Sequence, residues 1–270
     1  MFSCFIYSKR LLTVFLVLIT KSGLGQTSPT QNFSINDPLK FKKSNFSIEA
    51  VVSILPKAKI TWNEDSKYHL QSHLQSSYDL GINYTRYLNQ YLSISMGLHF
   101  VVGKRNFFIN IPSSDLTNSN PSGLLIEQKE LWNSLRIPLL IEKKISNKRN
   151  PFSIKTGLNF RYSGLMSDES FVGIRFDSNN RGTEVFNAEI SARNNGKPWI
   201  TFLGGLSKSI LLNNKNVLSL GVQADLSPTY FLEGNYEITI PNKPVTSGTY
   251  EISGSSVGLS VQYIFTGTNK

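Results

Sequence analysis

Three histidines are the residues of this 270-residue chain best suited to proton or metal chemistry. His69 and His73 stand four apart, which on a helix would put both imidazoles on one face at a spacing used for metal ligation. No third ligand follows at a recognisable interval, so the pair reads as part of a surface loop. His99 has Ser95 two pleats away and Asp79 on the strand before it, the residue types of a nucleophilic triad. A histidine hydrogen-bonded in an interior is the plainer reading of the same three residues. The chain has a single cysteine, Cys4, no phosphate-cradling glycine loop and no carboxylate pair at useful spacing. The expectation is a protein that is not an enzyme, with no catalytic, cofactor-binding or metal-binding residues to assign.

The first 25 residues read as an export signal. Lys9 and Arg10 form a basic start, Leu11 to Ile19 an apolar run too short to span a bilayer, and Gly23 and Gly25 a small-residue cleavage region. The mature chain is expected to begin at Gln26 without Cys4, which excludes disulfides and thiolate chemistry. Residues 26–43 are polar with two prolines and read as an extended lead-in, leaving 44–270 as the folded domain. Removing Lys9, Arg10 and Lys21 from 28 basic residues leaves 25 against 18 acidic ones, a formal charge of 25 − 18 = +7. In an exported chain that excess reads as solvated loops, and no nucleic-acid partner is expected. No later stretch reaches the roughly 18 apolar residues of a membrane helix.

The elements that position these residues alternate with period two. Leu92, Ile94, Met96, Leu98, Phe100 and Val102 fall on one face, opposite Ser93, Ser95, Gly97 and His99, which is a strand pattern. Phe152 to Tyr162, Leu218 to Leu226 and Val257 to Phe265 repeat it. Eight strands can be placed, near 44–55, 76–87, 91–102, 131–144, 152–163, 199–210, 216–227 and 250–265. Long connections (56–75, 103–130, 164–198, 228–249) alternate with short ones (88–90, 146–151, 211–215). That alternation predicts an all-β, up-and-down antiparallel transmembrane barrel of about eight strands in the cell outer membrane, long loops outside and tight turns in the periplasm. Ten strands would result if 103–110 and 234–241 joined the sheet.

The bulky apolar rows suit lipid, and the small polar rows suit a narrow interior. That interior is expected to hold Glu49, Asp79, His99, Arg136, Glu142, Lys155, Arg161 and Asp225 as a pairing network rather than an ion path. Trp62, Trp132 and Trp199 lie in or beside long connections and read as interface anchors. Lys143, Lys144, Lys148 and Arg149 form a basic turn. The Asn-x-Ser/Thr matches at Asn32, Asn45 and Asn83 carry no weight in a bacterial barrel.

LRIPLLI at Leu135 to Ile141, KTGLNFRY at 155–162, the GLGQ cleavage region and the closing GLSVQYIF at 258–265 resemble the PorT-like outer-membrane β-barrel proteins of Bacteroidetes. Pro138 lacks a ladder donor and so marks a bulge or a strand end. Thr266 to Lys270 follow Phe265, a departure from barrels that end on the aromatic. The resemblance implies a shared fold and location, with some members linked to secretion across the outer membrane. The function expected is structural, assembly- or secretion-associated, or surface interaction through long loops. Its partners would be outer-membrane lipid, and proteins at the loops or periplasmic turns. A small-solute or lipid-handling barrel is the first alternative, and a lipid-modifying enzyme using His99 the second.

Overall fold

A computed structural model describes residues 44–63, 68–111, 124–145, 150–164, 169–176, 182–192, 196–212 and 216–266. The expected signal (1–25) and lead-in (26–43), with Asn32, Lys148 and Arg149, lie outside these. The strands are β1 (Ser44–Leu55), β2 (Lys59–Trp62), β3 (Gln71–Ser72), β4 (Gln75–Tyr87), β5 (Leu92–Ile111), β6 (Leu124–Lys144) and β7 (Phe152–Ser163). They continue as β8 (Glu169–Phe176), β9 (Gly182–Ala192), β10 (Trp199–Leu211), β11 (Val217–Leu226), β12 (Tyr230–Thr239), β13 (Thr246–Ser253) and β14 (Ser256–Phe265). No helix is present among the described residues.

Eight strands close on themselves in the order β1-β4-β5-β6-β7-β10-β11-β14, every neighbour antiparallel, with β14 returning to β1. Closure leaves the ring no edge, a condition for backbone polar groups in lipid. The register fixes the barrel's size. From Lys143, paired residues run through Ile154, Leu206, Val222, Leu259, Val52, Tyr78 and Val102 to Asn133. The circuit thus re-enters β6 ten residues before its start. A shear of ten over eight strands, at about 3.3 Å per residue and 4.8 Å per strand, gives a tilt of about 41° and a backbone radius of about 8 Å. Such a barrel is filled by its own side chains.

The rows face as their chemistry requires. Phe46, Leu80, Phe100, Phe160, Val222 and Leu259 are exposed on the outside, and Ser47, Glu49, Asn83, Asn159, Ser219 and Gln262 are buried inside. Phe152 and Tyr162, both exposed, stand ten residues apart on β7, about 25 Å along the tilted axis. That matches an apolar band of about 25 Å. Close approach explains one glycine of the wall. A Cβ at Gly81 would overlap the ring of His99 on the adjacent strand, so the imidazole occupies the space a side chain would take.

Several expectations need correction. Residues 103–110 and 234–241 add no barrel strand. The first extends β5, pairing with β6 as far as Ile111–Leu124; most of the second lies in β12 of a separate sheet. The segment 250–265 is two strands, β13 and β14, because only its second half pairs in the barrel. Pro138 ends no strand. The β5–β6 ladder breaks only between Met96–Leu139 and His99–Arg136, where Pro138 lacks its N–H, while β6 continues to Lys144.

The long connections, read as loops, carry a five-stranded sheet in the order β2-β13-β12-β9-β8. It packs on the part of β5 beyond the barrel around Phe107, Ile109, Tyr236, Ile238, Tyr250 and Ile252. At the junction Phe231 lies between Trp132 and Trp199, with centroids 5.1 and 5.0 Å away. These two tryptophans are therefore core residues, 3% and 6% exposed, and not interface anchors, since both fall on inward rows and pack against Phe231. Trp62 is 42% exposed.

Candidate functional site

The interior network is assembled from alternate residues of the barrel strands. His99 Nδ1 lies 2.7 Å from Asp79 Oδ1, with Arg136 Nη2 2.8 Å from the same nitrogen. Arg136 Nε in turn pairs with Asp79 Oδ2 at 2.8 Å. Asn83 Nδ2 donates to Glu49 Oε2 at 2.9 Å, so its Oδ1 accepts from His99 Nε2, also at 2.9 Å. Lys155 stands 3.8 Å from Glu49 and donates to Gln262 at 2.7 Å, and Gln262 donates to Ser47 at 2.8 Å. A second centre lies around Asp225, which accepts from Arg161 at 2.9 Å, from Thr201 at 3.3 Å, from Ser256 at 3.4 Å and from Asn159.

Of the eight charged residues placed in the interior by periodicity, seven are buried there and Glu142 is half-buried at the tight-turn end. Glu49, Asp79 and Asp225 face Arg136, Lys155 and Arg161, and this matched set suits a filled interior. The triad-like arrangement fails on geometry. His99 is 1% exposed and meets Asp79, Asn83 and Arg136, and no hydrogen bond joins it to Ser95 among the described residues. Asn45 and Asn83 are buried in the same interior. The neutral members Asn83, Asn159, Thr201 and Gln262 had no charge to mark them. Only their place on the inward row distinguishes them.

His69 and His73 do not converge. His69 stacks on Trp62 with centroids 4.0 Å apart, and His73 stacks on Phe108 at 4.3 Å. No group of three metal-ligating side chains occurs among the described residues.

The outward face of the five-stranded sheet forms an open concavity of about 560 Å3. One register row crosses it as Thr61, Thr249, Asn235 and Ser191, and the next contains Ser247, Glu237 and Glu189. Thr61 and Thr249 share a hydrogen bond of 2.6 Å, and Asn63 Oδ1 accepts from the Ser247 amide at 3.3 Å. The lining has two carboxylates and no cation, which suits neutral or positively charged hydrogen-bonding groups. Nearby, a hydrogen bond from Lys59 to Glu251 raises the lysine above its ordinary range. Burial pushes the Tyr236 phenol beneath the concavity up to about 12.

A closed antiparallel ring with a bulky apolar belt outside and a charge-matched polar interior defines a membrane-spanning barrel. The chain is an outer-membrane β-barrel protein. It matches no family model and no curated protein. Among solved structures it is similar to the outer membrane protein OprG from Pseudomonas aeruginosa, at 12% identity over 84% of this chain and 98% of that one, with a TM-score of 0.41. The outer membrane protease OmpT from Escherichia coli gives 10% identity, coverages of 84% and 99%, and a TM-score of 0.33. The translocator domain of the autotransporter NalP from Neisseria meningitidis gives 10%, 97% and 96%, with 0.32. The barrel assignment rests on the closed register and the apolar belt, not on these likenesses.

Proposed function

We infer that the barrel is a non-catalytic membrane anchor that displays the five-stranded sheet at the cell surface as a recognition face for a partner. The observation that carries this reading is the folding of the long connections into one packed sheet that shares a core with the extended end of the barrel strands and presents a polar concave face. The paired interior supports anchoring over solute passage. The resemblance of LRIPLLI, KTGLNFRY and GLSVQYIF to PorT-like barrels of Bacteroidetes supports an assembly- or secretion-associated role for the displayed face. Export through residues 1–25 and a periplasmic lead-in over 26–43 belong to the same reading.

Asn235→Cys tests the display, because Cys4 is the only natural cysteine and lies in the proposed signal. A membrane-impermeant maleimide should label Asn235→Cys on intact cells. Labelling only after lysis would place the sheet in the periplasm and overturn the reading. Liposomes carrying the purified protein should take up small sugars no faster than empty liposomes, and solute-selective uptake would favour a transport barrel.

A further inference from the structure

The outer surface of the barrel at its tight-turn end is divided into two chemically different halves. On β14, β1 and β4 the paired outward residues are Phe265, Phe46 and Tyr84, with Tyr263 packed on Phe265 at 5.0 Å. On β4 and β6 the outward row ends instead in Arg86 and Lys143, and on β10 it carries Lys208 one pleat before its last outward residue, Ile210; all three cations are exposed. The register sets their heights. Each residue along a strand rises about 2.5 Å along the axis, and each paired step to the next strand about 3.1 Å. From Lys143 the pairing leads through Ile154 to Leu206, two residues above Lys208; in the other direction Leu92 leads to Ile94, which pairs with Arg86.

The three cations therefore lie within about 3 Å of one height, and neighbouring cations stand about 12 Å apart at the backbone. None has an acidic partner among the described residues, and Lys208 Nζ lies 5.4 Å above the Phe152 ring between β6 and β10. An exposed cation at the edge of the apolar band is stabilised by an anion held at headgroup depth. It can reach that anion while its stem stays in the acyl region. Aromatic rings beside the cations suit the same depth.

We propose that Arg86, Lys143 and Lys208 form a binding arc for anionic phospholipid of the leaflet at the tight-turn end, taking the headgroup phosphate. This rests on the barrel spanning the membrane and is independent of the displayed sheet. Charge complementarity selects the occupant, since the arc has three cations and no acid at lipid depth.

The test is native mass spectrometry of the full mature chain in detergent, offered phosphatidylglycerol or phosphatidylcholine. The wild type should retain phosphatidylglycerol preferentially, and Arg86→Gln, Lys143→Gln and Lys208→Gln should each lower that preference by about fivefold. Replacing the exposed lysines of the opposite end, Lys57, Lys59 and Lys197, by Gln should leave it unchanged. Equal loss in that control would show net charge alone at work and overturn the proposal. So would an unaltered preference in the single variants, each confirmed as folded by its heat-dependent gel mobility. Displacement of the lipid by an equal concentration of inorganic phosphate would mark a free-anion site and also overturn it.

Discussion

Asp225→Ala should be among the most damaging single substitutions in the barrel. Asp225 is 2% exposed and accepts from Arg161, Asn159, Thr201 and Ser256, on β7, β10 and β14. Its loss leaves the Arg161 guanidinium, 6% exposed, without the carboxylate 2.9 Å away. Removing one partner of a buried pair costs about 3–5 kcal/mol, chiefly through the stranded charge. Three further donors lose their acceptor, which places the expectation at the upper end of that range. Urea unfolding in phospholipid vesicles, followed by tryptophan fluorescence and by heat-dependent gel mobility, measures the loss. The double variant Arg161→Leu/Asp225→Leu should recover most of it, because apolar replacement removes the stranded charge. A loss below about 1 kcal/mol in Asp225→Ala, or no recovery in the double variant, would refute the view that interior pairing holds these strands together.

Trp62 is the exposed tryptophan and Trp132 and Trp199 are buried, so aqueous acrylamide should quench part of the emission. Trp62→Phe should abolish the quenchable part; quenching that persists would place an interior tryptophan in water. The Tyr236 phenol titrates near 12 when folded and near 10 when unfolded, so folding favours its neutral form. The stability it contributes is complete below about pH 10 and is lost as pH rises through 12. Absorbance at 295 nm should show this late ionisation in the wild type and not in Tyr236→Phe. A wild-type curve identical to that of the variant would contradict the burial.

The barrel was legible because lipid leaves a simple pattern. Rows such as Val257, Leu259, Val261 and Phe265 against Ser256, Ser260 and Gln262 have a single physical solution once the sheet closes. The interior charges were legible for the same reason: Lys155 and Arg161 could only point inward if Ile154 and Phe160 pointed out. Their partners were not, since period two gives a side but no height. Which carboxylate meets which cation depends on a stagger of ten residues around the ring. The five-stranded sheet escaped notice because β2 has four residues and pairs with β13, nearly two hundred positions away, so its register leaves no local trace.

One signal of the outer sheet was present in the sequence, and its meaning is physical. Along β5 the apolar residues face outward through Leu98, Phe100 and Val102, while His99 faces in. Beyond them Phe107, Ile109 and Ile111 are buried on the inward row, and the outward positions become Lys104, Asn106, Phe108 and Asn110. The hydrophobic phase therefore reverses between Val101 and Phe107, across the buried Arg105, without a break in the strand. A strand in lipid turns its apolar side out, and the same strand in water must turn it in. The reversal marks the height at which β5 leaves the bilayer. Inward residues of other strands at that level, Leu55, Trp132 and Trp199, change from polar to apolar with it. The membrane boundary and the base of the displayed sheet are thus set by the same residues. A charge substituted at Val101 or Leu55 would weaken the sheet above before it disturbed the lipid-facing belt below.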